Sequence, residues 1–429
     1  MKIAHIVPGS GGTFYCQNCL RDSSLVRELQ VSGLDVTLVP MYLPLYGLSK
    51  GLPEETPVFF GGINVYLQQK FSVFRRTPRW LDRVFDSRWM LGMAAKNAGS
   101  TDAAQLGDMT ISMLRGEEGR QKKEVDRLIA WLGHYGAPDI VHLSNALLIG
   151  LAGPLRRRLG ARVVCSLQDE HVWIDAMKGS HAAQAWRIVE EASADVDAFV
   201  AVSAYYRDRI RERIDVPAEK FRVIHIGLPL EAYEAAVSPA NGPVIGYLSR
   251  LSPNMGFDIL LDAFFRLKES GHFPGLRLKA TGGIVGEDRQ FADELCRRIS
   301  ARNLTGSVVF TDSFDAEDRI AFLRSLSLLS VPIPEGEAFG MFIVESLACG
   351  VPVVQPDAGA FPEIVQRAGG GVIYSPNTPE NLSDRISDLL ERPVELERLS
   401  REGRAGVREY FSISRMAREM ITLYEDVIV

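Results

Sequence analysis

Cysteine is scarce in this chain, with five in 429 residues. So few, and an odd number, exclude a disulfide framework as the main support of the fold. Long apolar runs are missing too. None approaches the roughly 20 residues of a membrane-spanning helix. The start, MKIAHIVPG, enters a strand-like run with no apolar stretch and small-residue cleavage site ahead of it, so cytoplasmic residence is the default expectation. There is no excess of positive charge, and a formal net charge of -6 argues against a dedicated nucleic-acid binder. Cys16-Gln17-Asn18-Cys19 is a CxxC, but no second CxxC and no HxxxH supplies the other two ligands of a zinc site. A helix-front thiol pair can be redox-active. Buried, helix-packing cysteines are the favoured reading, for this pair and for Cys165, Cys296 and Cys349 in apolar surroundings.

What is present is an apolar content of 46% and a charged content of 24%, those of a soluble globular protein. The length predicts two domains, because single cores seldom grow much beyond about 250–300 residues. Strand-like runs at Lys2–Val7, Leu34–Pro40, Asp139–His142, Arg162–Leu167, Ala198–Val202 and Val223–Ile226 alternate with helical patterns at Leu147–Leu159 and Ala204–Ile214. That alternation predicts a doubly wound parallel sheet. After a loose Pro/Gly/Ala-rich junction at Leu228–Pro243, a second alternation runs through Val244–Leu248, Leu276–Ala280, Ser307–Phe310, Leu328–Ile333, Val351–Gln355 and Val372–Tyr374. The expected division is an N-terminal domain 1–228, a second domain 243–411, and a last helix 412–429 that crosses back to the first.

Between about 44 and 130 the pattern is irregular and reads as a helical insertion. Within 66–96, Lys70, Arg75, Arg76, Arg79, Arg83 and Arg88 alternate with aromatic and aliphatic residues. A basic amphipathic surface for a membrane interface or anionic partner is one reading. A packed insertion shaping the acceptor side of a cleft is preferred, since Asp82 and Asp86 interrupt the basic face.

Chemistry concentrates where strands end. Pro8-Gly9-Ser10-Gly11-Gly12 follows the first strand and opens a helix, a layout whose bare amides can face phosphate. It is not the dinucleotide fingerprint: GSGGTF has no third glycine, and no acid closes the second strand. Gln168, Asp169 and His171 follow the strand ending at Leu167. Arg250 follows Leu248, where a planar cation can hold a diphosphate bidentately. Gly282-Gly283 permits close approach of a ligand. The densest stretch is PEGEAFGMFIVESLACG, Pro334 to Gly350. Its acids, Glu337 and Glu345, would stand about 12 Å apart if both were helical, at 1.5 Å per residue. That spacing suits two ends of one extended ligand. The alternative is a charged helix start with a solvated Glu345.

These motifs resemble, in order, those of the retaining family 4 glycosyltransferases of the GT-B fold, in the glycogen-phosphorylase-like group. The resemblance rests on Gly11-Gly12, DIVH at 139–142, AVS at 201–203, Ser249-Arg250, Gly282-Gly283, ACGVPVV, Pro362-Glu363 and above all EAFGMFIVE at 337–345. It implies an α/β architecture of two doubly wound Rossmann-like domains facing a cleft, with the helical insertion in the first. It implies a hexosyl transfer from a UDP- or GDP-sugar to a saccharide, lipid or small-molecule acceptor, without metal or other cofactor and without nucleic acid. Glu337 would contact the transferred sugar, Glu345 the ribose and Arg250 the diphosphate. Gly11, Gly12, Gly282, Gly283, Phe339, Gly340, Met341 and Phe342 would line the donor. His142, Gln168, Asp169, His171 and Arg21 are candidates for the acceptor and catalytic side.

Two departures stand out. Met255 takes the place of the lysine that the family usually has after the arginine, and Gln168 that of a frequent histidine. Arg21 is a candidate for the missing charge. An epimerase or hydrolase of nucleotide-sugars, or a weakened nucleotide-sugar-binding protein, are the alternatives these departures leave open.

Overall fold

The structure is a computed structural model that describes residues 1–8, 17–41, 106–233, 242–284, 286–311, 313 and 315–429. By compactness the chain divides into two units. One gathers Met1–Gly12, Cys16–Ile224 and Ala417–Val429, and the other holds His225–Met416. Of the region 44–130 the described part is helical, with helices Gly107–Leu114 and Lys122–His134. The basic–aromatic stretch 66–96 lies outside the described residues, as do Gly11, Gly12 and Cys16.

The first unit carries six parallel strands: β1 (Lys2–Val7), β2 (Asp35–Pro40), β3 (Ile140–Leu143), β4 (Arg162–Leu167), β5 (Ala198–Ala201) and β6 (Phe221–Val223). Their order across the sheet is β2-β1-β3-β4-β5-β6. The inner strands β1, β3, β4 and β5 are buried along almost their whole length on both faces, as parallel strands covered by helices must be. β6 begins two residues earlier than its apolar run suggests, and Phe221 stacks on Phe199 with ring centroids 5.3 Å apart. His225 and the residues after it belong to the second unit, where the Leu228 N–H donates to Phe411 O and the Ile413 N–H donates to Leu228 O.

The second unit repeats the plan with β7 (Val244–Leu248), β8 (Arg277–Thr281), β9 (Val308–Thr311), β10 (Leu328–Leu329), β11 (Val353–Pro356) and β12 (Gly371–Tyr374), in the order β12-β11-β10-β7-β8-β9. β10 keeps only two of the six residues its apolar run predicts. The Val331 N–H turns to the Gln355 side chain, and Pro332 has no N–H for a ladder, so the chain leaves the sheet there.

In both sheets the winding reverses beside the first strand, between β1 and β3 and between β7 and β10. In open α/β sheets, ligands bind outside the carboxyl ends of the strands at such switch points. The helix Met341–Ala348, which follows β10, is buried on every side, its apolar residues packed in the core and its Glu345 and Ser346 enclosed with them. Phe342 meets Phe361 edge-on there at 5.7 Å, a contact contributing about 0.5–1.5 kcal/mol beyond its area.

Candidate active site

At the switch point of the second sheet, Ser249-Arg250 leaves β7 and Pro334–Gly340 follows β10, with Gly282-Gly283 leaving β8 next door. Backbone bonds knit these ends together: Ser249 N–H donates to Thr281 O at 3.1 Å, and Leu251 N–H to Gly283 O at 3.1 Å. Tyr247, buried in β7, donates its hydroxyl to Arg250 O and to Met255 O at 3.2 and 2.9 Å. Burial, then the nearby Glu337, Asp258 and Asp288, push its phenol well above the usual range, so it acts as a donor throughout.

Two glycines are required by the geometry. Gly282 has φ +134°, and a Cβ on it would stand 2.2 Å from Ser249 O. Gly340, at φ +87°, caps the buried helix, and a Cβ there would meet the Phe361 ring at 2.9 Å. Both bring bare backbone to the strand ends.

Glu337 lies in the turn and Glu345 in the helix, so the spacing along one helix axis does not apply. Glu337 is partly exposed, and its carbonyl accepts the Ala360 N–H at 3.0 Å, tying the turn to the one after β11. Glu345 is fully buried, which rules out a solvated helix acid. Its Oε1 accepts from Arg319 Nε at 2.8 Å and from the Tyr233 hydroxyl at 2.6 Å. Phe339, Met341 and Phe342 are buried as well, Phe339 against Phe411 and Phe342 against Phe361. Arg250 is about one-third exposed, and its Nε donates to Asp288 Oδ2 at 2.6 Å. Met255, in the short turn Pro253–Met255, brings no charge.

In the first unit the candidates separate. Arg21 is 2% exposed, so it offers no mobile cation. It donates to Asp22, to Gln168 Oε1 at 2.8 Å and to Ser144 O at 2.6 Å. Burial alone would raise the Asp22 carboxyl, but Arg21, His5 and the Ser144 hydroxyl hold it well below the usual carboxylate range. Gln168 is thereby an interior partner of Arg21, not an open replacement for a histidine.

His142 is also interior. Its Nδ1 lies 2.6 Å from the Tyr424 hydroxyl and its Nε2 2.8 Å from Ser166 Oγ. Burial, then His5, lower its pKa well below the ordinary histidine value. Arg21 and His142 are thus both buried, Arg21 against Asp22, Ser144 and Gln168 and His142 between Tyr424 and Ser166.

Asp169 and His171 remain nearer the surface. Asp169 has φ +62°, an unusual conformation for a non-glycine residue at a strand's carboxyl end. His171 is part-buried, 3.3 Å from the Tyr206 hydroxyl, and burial followed by Arg209 lowers its pKa.

Tyr233, Arg319 and Asp288 were not singled out from sequence. Arg319 carried a signal: with Phe322 and Leu323 it forms an i, i+3, i+4 face of one helix, and all three are buried. Of the cysteines, Cys19 is disulfide-bonded rather than a packing thiol. Cys165 and Cys349 are buried, the latter's thiol pushed up to about 12 by burial. Cys296 is exposed, its helix turning it outward instead of into apolar surroundings.

Two family profiles match in sequence: "Glycosyltransferase Family 4" over residues 111–232 and "Glycosyl transferases group 1" over 231–406. Together they cover residues 111–406 and take in the switch point of the second sheet. The chain belongs to the family 4 glycosyltransferases. The D-inositol 3-phosphate glycosyltransferase of Mycolicibacterium smegmatis is 30% identical to this family 4 chain over 231 residues, 50% of each protein. The chain spans about half the length of the curated relatives it matches. Sucrose-phosphate synthase from Thermosynechococcus elongatus superposes with a TM-score of 0.72 at 17% identity, covering 100% of this chain and 99% of that one. Anabaena HepE in complex with UDP and glucose superposes with a TM-score of 0.71 at 17% identity, covering 99% of each. These likenesses show the GT-B fold. Among the described residues no helix is long and apolar enough to cross a membrane.

Proposed function

We propose that this family 4 chain transfers a hexose from a UDP- or GDP-sugar to an acceptor with retention of the anomeric configuration and without a metal ion. The observation that carries the reading is the meeting of Arg250, Gly282-Gly283, Glu337 and the Gly340-capped helix at one switch point. In this reading Arg250 neutralises the leaving diphosphate, where charge builds in the transition state and fixed donors act most strongly. Glu337 faces the sugar, with the amides at Gly340, Met341 and Phe342 lining the donor. Glu345, held by Arg319 and Tyr233, belongs to the ribose end. Departure and attack occur on one face of the sugar within an ion-pair-like encounter, from which water is kept out.

The acceptor is a saccharide, lipid or small molecule. The name of the curated relatives makes a phosphorylated cyclitol one candidate. The UDP and glucose held by Anabaena HepE support a nucleotide-sugar donor. Asp169 and His171, near the surface of the first unit, are the remaining acceptor-side candidates.

The test is calorimetry and product analysis. Glu337→Ala should nearly abolish transfer while leaving nucleotide affinity largely intact, and Arg250→Ala should weaken UDP or GDP binding. A screen of UDP-, GDP- and ADP-sugars by thermal shift identifies the donor, since a ligand at about 100 times its Kd adds roughly 2.7 kcal/mol of stability. A purified protein that binds no nucleoside diphosphate at millimolar concentration refutes the proposal.

A further inference from the structure

Asp288 closes the short turn Gly286–Asp288 that follows β8, while Arg250 follows β7, the neighbouring strand. The two groups are unequally solvated. Asp288 is 3% exposed, whereas the Arg250 side chain is 32% exposed. The carboxylate is enclosed, and the guanidinium reaches toward solvent from its contact with it. The bond runs from Nε to Oδ2 at 2.6 Å, a short contact between opposite charges. A bond at Nε takes the guanidinium from its side. It fixes the plane of the group and hence the direction of its terminal nitrogen edge, the edge suited to a bidentate anion. An untethered arginine loses rotamer freedom when it binds an anion, and a tether removes that loss beforehand. The tether has added weight here because Met255 leaves the turn beside Arg250 without a second cation.

We propose that Asp288 is the positioning residue of Arg250, presetting its guanidinium for the donor diphosphate at the β7/β10 switch point. The inference rests on the reading of Arg250 as the diphosphate ligand. Two measurements on the full chain test it: the Arg250 Nε–H resonance in the ligand-free protein, assigned by its loss in R250A, and calorimetric affinity for UDP and GDP. D288A is expected to move or broaden the resonance and to weaken nucleotide binding about tenfold, the scale of a lost hydrogen bond to a charged group. D288N keeps an acceptor oxygen and is expected to preserve both the resonance and wild-type affinity. The double variant R250A/D288A is expected to bind no more weakly than R250A, because the effect of Asp288 passes through Arg250.

An unchanged resonance in D288A overturns the inference. So does wild-type affinity in D288A alongside weakened binding in R250A, or losses that simply add in the double variant. Wild-type protein that binds neither nucleotide, or R250A that binds as wild type, instead refutes the diphosphate reading, while the resonance still decides whether Asp288 sets Arg250.

Discussion

Replacing Arg319 by leucine isolates the energetics of the second unit's core. Glu345 is fully buried and Arg319 is 5% exposed, with Nε 2.8 Å from the carboxylate. Removing one partner of a buried pair leaves an uncompensated charge and costs about 3–5 kcal/mol. For a unit of about 150–250 residues each kcal/mol moves the midpoint by roughly 2–4 °C. Arg319→Leu should therefore lower the melting transition of the second unit by about 6–20 °C in scanning calorimetry.

The double variant Arg319→Leu/Glu345→Leu removes both charges and should recover most of the loss, since apolar replacement of a buried pair is often neutral or stabilising. A single variant that shifts by less than about 2 °C, or a double variant no better than the single, would show that the pair does not carry the charge of this core.

Three further outcomes are expected. Tyr424→Phe removes the hydroxyl 2.6 Å from His142 Nδ1 and should cost the first unit about 1–3 kcal/mol, read as a shift in its urea midpoint. His142 has a lowered pKa and stays neutral in the fold, so stability should decline below about pH 6.5, where the unfolded chain takes up the proton, by at most about 1.4 kcal/mol per pH unit. His142→Gln should flatten that part of the profile. Gly282→Ala places a Cβ against Ser249 O in a backbone region closed to side chains, and should cost about 1–3 kcal/mol and weaken nucleotide binding by displacing Arg250.

Much of this protein was legible along the chain. Period and turn chemistry located both α/β alternations, and Lys2–Val7, Arg162–Leu167 and Val244–Leu248 were placed to the residue. The order of motifs resembled the family that the profiles then matched. Such features are local: a buried parallel strand announces itself by its own apolar run, and a strand-end glycine by its place after that run. What local pattern could not supply was the partner of each charge. Arg21 looked available as a cation and is enclosed by Asp22, Ser144 and Gln168, the last two far away in sequence. Glu345 was a candidate ribose contact, with a solvated helix acid as the alternative, and in the fold it is neutralised by Arg319 from another helix. Arg250 was visible at its strand end, but Asp288 was not, because only the pairing of β7 with β8 brings their loops together. The sequence by itself determined the strands, helices and glycine turns, since these depend on neighbours in the chain. The tertiary structure alone decided which ionised groups are buried and what each is paired with, because desolvation and Coulomb attraction depend on distance in space.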